Sequence, residues 1–369
     1  MSKQKHKYIF YGMESNAIEV SNFIAHIIDN NIAAEKQNKK KSPTCIWGTH
    51  GIGKTEMVQQ IAEQKGFKWA YIAPAQFEEM GDLIGMPSIK NDRTVFSIPD
   101  WVPTEDGPGI LLIDDVNRAD DRILRGIMQL LQNYELVSWK LPKYWQIVLT
   151  ANPDGGDYSV TPMDNAMLTR MMHITLNFDS KTWALWAEKS GIDSRCINFV
   201  LTYPEIALGE RTTPRSLVQF FQSIENISDF NKALPLIQML GSSCLDEETI
   251  ISFITFIQQN LSILVKPEEI LATKNFKNNI YKPIKGIVKQ KDKLRVDILA
   301  TLCTRLINYL NINNTQPREN EVKNIQNFIK MDFLPNDLRL GLIQDIVTNP
   351  NLNLIMSDPE VAILLLDKM

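Results

Sequence analysis

The sequence is short of several things, and each shortage removes a class of protein. It carries four cysteines in 369 residues, and Cys45, Cys196, Cys244 and Cys303 stand far apart, with no CxxC pair and no histidine cluster beside them. A disulfide framework and a structural zinc site are therefore not expected, and reduced thiols packed as small apolar side chains are. No uninterrupted apolar stretch approaches the ~18 residues of a membrane span, and the opening segment MSKQKHKY lacks the apolar run of a secretory signal, so the expectation is a cytoplasmic protein with no membrane partner. Charge of one sign is also lacking. Lys plus Arg number 39 and Asp plus Glu 43, a net charge of −4, so any grip on nucleic acid must come from a local patch rather than from the field of the whole molecule. Hydrophobic residues at 44% and charged residues at 22% exclude wholesale disorder and a collagen-like fibre.

What is present is enough chain for two or three domains. All seven tryptophans (Trp47, Trp69, Trp101, Trp139, Trp145, Trp183 and Trp186) stand at or before position 186 and none follows it, which marks two composition regimes. The first half alternates short β-rich runs, at Thr44 to Trp47, Trp69 to Ile72, Ile110 to Ile113, Gln146 to Leu149 and His173 to Leu176, with helical patterns, the signature of a parallel α/β sheet. A helix over Ala17 to Ala33 precedes the first strand, and the lysine-rich Glu35 to Lys41 reads as a solvated loop. Beyond position 178 the pattern is helical: Lys181 to Lys189, Ser194 to Thr202, Thr213 to Glu225, Lys232 to Leu240, Glu247 to Leu261, an apolar stripe from Val296 to Leu310, and Asp337 to Val347.

The residues Gly48, Thr49, His50, Gly51, Ile52, Gly53, Lys54 and Thr55 match GxxxxGK[ST], directly after the first strand and before an amphipathic helix bearing Met57, Val58, Ile61 and Ala62. Such a loop lets backbone N–H groups curl around phosphate oxygens, sends a lysine to the β and γ phosphates, and offers the Thr55 hydroxyl to Mg²⁺ at the positive end of a helix. His50 sits at a variable position and reads as a spacer. Further on, Gly109 to Ile113 is an apolar strand that ends on Asp114 and Asp115, which delivers two carboxylates to the sheet edge where phosphate is expected. Asp114 is the candidate for holding Mg²⁺ through water, and Asp115 for orienting the attacking water. Where hydrolysing relatives usually carry glutamate, this aspartate is shorter by one methylene, roughly 1.5 Å of reach, and an ångström of misplacement can cost about 100-fold in rate.

These two motifs, with the run Asn117-Arg118-Ala119, the strand Ile147 to Asn152, the phrase Gly81 to Pro87, the turn Ile98 to Pro103 and Thr213-Pro214-Arg215-Ser216, resemble the MoxR branch of AAA+ ATPases, within the dynein-related group. The likeness extends from about Asn16 to Phe221. It implies a P-loop α/β core over residues 1–177, a helical lid over 178–265 and a C-terminal helical region over 266–369. It also implies roles: Asn152 as sensor 1, Arg170 as an arginine finger reaching a neighbouring subunit's site, and Arg215 as sensor 2. The implied cofactors are ATP and Mg²⁺, and the implied assembly is a homo-oligomeric ring, usually of six, that remodels a protein client with a von Willebrand factor A domain protein as partner. Arg118 reads equally as an interface residue and as a surface ion pair. The stretch Tyr134 to Leu141 resembles the hairpin before sensor 1, with Trp139 and Trp145 as packing aromatics.

Residues 274–295 hold eight basic side chains, Lys274, Lys277, Lys282, Lys285, Lys289, Lys291, Lys293 and Arg295, against Asp292 alone, with Phe276 and Tyr281 between them. Basic charge with aromatics is a footprint of nucleic-acid binding, and a solvated linker is the preferred alternative. Two other functions stand beside client remodelling: a nucleic-acid motor or loader, and a nucleotide-dependent scaffold that hydrolyses poorly because of Asp115. A GTPase is disfavoured, since no NKxD guanine-reading motif occurs.

Overall fold

Runs of β-branched and aliphatic residues form the central strands because these are buried throughout, with helices on both faces. In the computed structural model, which describes residues 9–154, 160–259, 261, 264–290, 293–358 and 361, six strands pair in parallel. Their spatial order is Met13–Ser15, Met172–Leu176, Thr44–Trp47, Trp145–Ala151, Gly109–Ile113 and Lys68–Ile72. Register is fixed by pairs such as Trp47 with Ala151 and Ile113 with Leu149, which bring the carboxyl ends of the three central strands level. After Thr44–Trp47 the chain leaves for the far edge, returns inward through Gly109–Ile113 and Trp145–Ala151, and then passes to the other side, so the loop at 48–53 opens at the switch point where ligands of such sheets bind. The segment MSKQKHKY lies outside the described residues.

Alternation along the strands feeds two cores. Ile46, Ile110, Leu112, Val148 and Ile174 face the helices Ala17–Lys36 and Lys54–Lys65 through Val20, Ile24, Ile28, Val58 and Ile61. Cys45, Trp47, Leu111, Ile113, Ile147 and Leu149 face the helix Asp121–Asn133 through Ile123, Ile127, Leu130 and Leu131. Asn16 starts the first of these helices with a reciprocal capping box to Glu19, and Asp120 starts the last by accepting from the N–H of Ile123.

The chain divides into two units, Met1–Phe178 and Asp179–Met369. Among its described residues the second is helical apart from a two-residue-per-strand hairpin. Its centre is an aromatic cluster in which Phe253 meets Phe199 edge-on at 4.8 Å and Phe220 at 5.1 Å between ring centroids. The helix Val296–Asn313 packs on Ser180–Lys189 and Ser194–Thr202, and buried Arg305 joins them: its Nη1 donates to Ser194 O (3.0 Å) and Asn198 Oδ1 (2.6 Å), and its Nε lies 2.5 Å from Glu188 Oε1.

Two expectations are corrected. The stretch Glu35 to Lys41 is not a solvated loop throughout: the helix runs to Lys36, and Lys41 is largely buried, donating to Glu35 (2.9 Å) and to Trp145 O (3.0 Å) with its ammonium 4.0 Å from the Tyr134 ring centre. The basic segment is not a linker either. It forms a π-turn at Lys277–Tyr281, the helix Lys282–Val288 and the hairpin Lys289–Gln290 with Lys293–Leu294. Ile280, Ile284 and Val288 recur every four residues, and burying that stripe decides the structure against the surrounding charge. Lys291 and Asp292 lie outside the described residues. A hairpin at Pro87–Lys90 and Arg93–Phe96 also forms, turned by Asn91 and Asp92 with φ of 51° and 56°, the left-handed pair that a two-residue turn requires.

Candidate functional site

The glycine loop is shaped for an anion. Gly51 and Gly53 have φ of 69° and 98°, in the left-handed region that costs other residues about 1 kcal/mol or more. A Cβ built on Gly53 would meet nothing within 4 Å, so the backbone conformation alone demands glycine there, and the space beside it is open. At Gly48 a Cβ would come within 2.9 Å of Leu176 O, so close packing of the loop on the neighbouring strand end demands glycine. The helix Lys54–Lys65 begins at once after Gly53, which aims its first N–H groups into that space. Thr49 and Ile52 are half-buried, and His50 is exposed.

Lys54 is 5% exposed, and its Nζ donates to Gly48 O (2.8 Å), Thr49 O (3.1 Å) and Asn152 Oδ1 (3.2 Å). A buried ammonium lined up with the loop carbonyls is suited to an incoming polyanion. Asn152 follows the last residue of the strand Trp145–Ala151 and is fully buried; its Nδ2 has no partner among the described residues, which leaves a donor unspent at the same place.

The fully buried strand Gly109–Ile113 delivers Asp114, whose N–H is held by Ile72 O at 2.8 Å. Both carboxylate oxygens of Asp114 are bound: Oδ1 accepts from Thr55 Oγ1 (2.9 Å) and Thr150 Oγ1 (2.5 Å), and Oδ2 from the Tyr71 hydroxyl (3.2 Å). Burial, then the Asp114 charge and its hydrogen bond, push the Tyr71 phenol above its ordinary value, so it stays a donor. Asp115 has φ 47° and ψ 44°, a left-handed non-glycine residue, with its N–H bonded to Thr150 Oγ1 at 2.8 Å and its carboxylate 3.4 Å from Arg118 Nε. For Arg118 the structure has the ion pair, within its own chain.

The structure thus brings these residues to one sheet edge in two hydrogen-bonded sets, Lys54 with Asn152, and Thr55 with Asp114 and, through Thr150, Asp115. Arg170 is joined to neither by a described contact: its Nε and Nη2 donate to Gln132 Oε1 (3.2 and 3.1 Å) and its Nη1 to Ala166 O. Arg215 is exposed in the first turn of the helix Pro214–Ile224 of the second unit, a helix started by Thr213 in a capping box with Ser216. Sequence reasoning gave no role to Asn117, Thr150 or Tyr71. Buried Asn117 clamps the Asn152 backbone, donating to its carbonyl at 2.8 Å and accepting from its N–H at 3.1 Å, across 35 residues of chain.

The donor set fits the groups the loop implies. Thr55 and Asp114 offer hard oxygens side by side, as Mg²⁺ prefers, and among the described residues no group of three His, Cys, Asp or Glu side chains forms a metal site, so the ion would draw its other ligands from water and phosphate. Buried Lys54, the unspent Asn152 amide and the helix N-terminus suit a polyphosphate.

Comparisons with known proteins give the following likenesses. No curated protein matches the sequence. Among solved structures, the chain is similar to the Thermotoga maritima RuvB Holliday junction branch migration motor at 13% identity and a TM-score of 0.36, over 82% of this chain and 90% of that one. It is also similar to Hsp104 solved in a closed state with ATPγS and FITC casein, at 13% identity and a TM-score of 0.38, over 59% of this chain and 48% of that one. Residues 43–171, which span the glycine loop, the paired aspartates and Asn152, match the model of the AAA domain (dynein-related subfamily).

Proposed function

We propose that the chain binds and hydrolyses Mg²⁺-ATP as a MoxR-like, ring-forming machine that remodels a protein client. The observation that carries this reading is the meeting of Lys54, Thr55, Asp114 and Asn152 at the carboxyl edge of the sheet, beside an open glycine loop. The loop N–H groups from Gly48 to Gly53 and the Lys54 ammonium hold the phosphates. Thr55 and Asp114 hold Mg²⁺, which supplies charge neutralisation on the phosphate oxygens. Asn152 Nδ2 donates towards the γ-phosphate and its water, and Asp115 accepts a proton or hydrogen bond from that water.

Phosphoryl transfer needs positioning and charge more than covalent chemistry, and an arginine supplied in trans is worth roughly 10³ to 10⁵ in rate. In the proposed ring a lone subunit's site is incomplete: Arg170 completes it from the neighbour, and Arg215 reports nucleotide state from a lid over 178–265, with 266–369 as a further helical region. Heterologous contacts that close by rotation make such rings, here of six copies. The partner expected alongside the client is a von Willebrand factor A domain protein.

One observation favours a second reading, a scaffold that binds ATP but turns it over slowly: the short Asp115 carboxylate rests 3.4 Å from Arg118 rather than free over the loop. A nucleic-acid motor has the exposed Lys274, Lys277, Lys282 and Lys289 in its favour and ranks below both. Arg170→Ala separates these ideas. It is expected to bind ATP and assemble while turnover falls about 10³-fold or more, read by steady-state phosphate release beside sedimentation; normal turnover in that variant contradicts the trans arginine.

A further inference from the structure

We propose that Thr150 is a positioning residue for hydrolysis, one hydroxyl that ties the Asp114 carboxylate to the backbone of Asp115. The inference rests on the Mg²⁺-ATP reading above and assigns a task to a residue outside the two motifs.

Thr150 is fully buried on the strand Trp145–Ala151, next to the strand that carries both aspartates. Its Oγ1 lies 2.5 Å from Asp114 Oδ1 and 2.8 Å from Asp115 N. A hydroxyl has one proton to give and lone pairs to receive. The carboxylate can only accept and the amide can only donate, so the proton points at Asp114 and a lone pair takes the Asp115 N–H. Each bond orients the other: rotating the hydroxyl to suit any different partner breaks one of the two.

The consequence falls on both acids. Asp115 sits at φ 47° and ψ 44°, a conformation that persists in a non-glycine residue only where its surroundings impose it. The bond from its N–H to Thr150 and the bond from Arg118 N to its carbonyl at 2.9 Å are what impose it. That conformation turns the Asp115 side chain off the line of the strand. Asp114 in turn is held at Oδ1 by Thr150 and Thr55 and at Oδ2 by Tyr71. Thr55 is the hydroxyl assigned to Mg²⁺, so Thr150 is the buried donor on Asp114 with no task at the ion. Removing it frees the carboxylate that holds the metal and the backbone that aims the water-orienting acid.

The test compares Thr150→Val, which keeps the branched shape and loses the hydroxyl, with Thr150→Ser, which keeps the hydroxyl. Both are made in the full chain, and ATP affinity is measured by calorimetry with and without Mg²⁺ beside steady-state turnover across a Mg²⁺ titration. T150V is expected to bind metal-free ATP within about twofold of the parent, to need about tenfold more Mg²⁺ for half-saturation, and to lose about 10- to 100-fold in turnover, the scale of an ångström's misplacement. T150S is expected within about threefold of the parent on all three, at that scale. If T150V matches the parent in Mg²⁺ dependence and turnover, or if T150S falls as far as T150V, the proposal is overturned. Should T150V not fold, Thr150→Ala replaces it with the same expected and refuting results. A parent protein that binds no ATP would overturn the underlying Mg²⁺-ATP reading, an outcome distinct from a binding-competent parent whose T150V variant is unchanged.

Discussion

Replacing Arg305 by Met should loosen the second unit by an amount that depends on pH. The guanidinium lies 2.5 Å from Glu188 Oε1, with the two side chains 11% and 10% exposed, and bonds Asn198 Oδ1 at 2.6 Å and Ser194 O at 3.0 Å, so it links three helices. Neither the Nε nor the Oε1 atom makes an aligned hydrogen bond, and burial outweighs the Arg305 charge at Glu188, whose carboxyl is pushed up from 4.5 to about 6. Removing one partner of a buried pair strands the other, at a cost of about 3–5 kcal/mol. The native state binds the Glu188 proton more tightly than the unfolded chain does, so this group's contribution to stability is fully present below pH 4.5 and is lost as pH rises through about 6. Without Arg305 the carboxyl rises further, so the deficit of R305M relative to the parent should be full at pH 8 and shrink towards pH 5, where protonated Glu188 needs no counter-charge. Glu188→Gln in the R305M background should recover part of the loss at pH 8. Hydrogen exchange across Ser180–Lys189, Ser194–Thr202 and Val296–Asn313 reads the opening locally, which avoids assigning a single unfolding transition to two units. A deficit below about 0.5 kcal/mol, the level of an ordinary surface change, or one equal at pH 5 and pH 8, refutes the reasoning.

Other perturbations bear on the site. Asp115→Glu extends the carboxylate by roughly 1.5 Å and should raise ATP turnover by about tenfold if reach limits the step; unchanged or lower turnover in a phosphate-release assay removes that explanation. Asn117→Ala strands the N–H and C=O of buried Asn152, at about 1–3 kcal/mol for each. Thermal unfolding should fall accordingly and turnover with it, and a variant as stable as the parent would show that the clamp carries nothing.

The parts of the fold legible in the sequence are those set by neighbours along the chain. The strand Thr44–Trp47 and the helix from Lys54 could be read because apolar alternation, left-handed glycines and the GKT step lie within a dozen residues. The paired aspartates were legible for the same reason, as the polar end of a wholly apolar strand. Contacts between distant segments were not. Lys41 reads as solvated charge until Trp145 O, 104 residues away, accepts its hydrogen bond. The four-residue stripe of Ile280, Ile284 and Val288 was outvoted by the lysines between them, although its period was a usable signal. Asn117 and Thr150 act across adjacent strands, and no local pattern marks a polar residue whose partner is 35 or 36 positions off. The Asn91-Asp92 pair between alternating residues was a turn signal that could have revealed the Pro87–Phe96 hairpin.

The central claim is that the loop from Gly48 to Thr55 holds Mg²⁺-ATP through Lys54. Calorimetric titration of the full chain and of Lys54→Ala with ATP in Mg²⁺ tests it most directly. The account predicts saturable binding, one ATP per subunit, by the parent and its loss in K54A with the fold intact; ATP binding of equal strength by both proteins, or by neither, would contradict it.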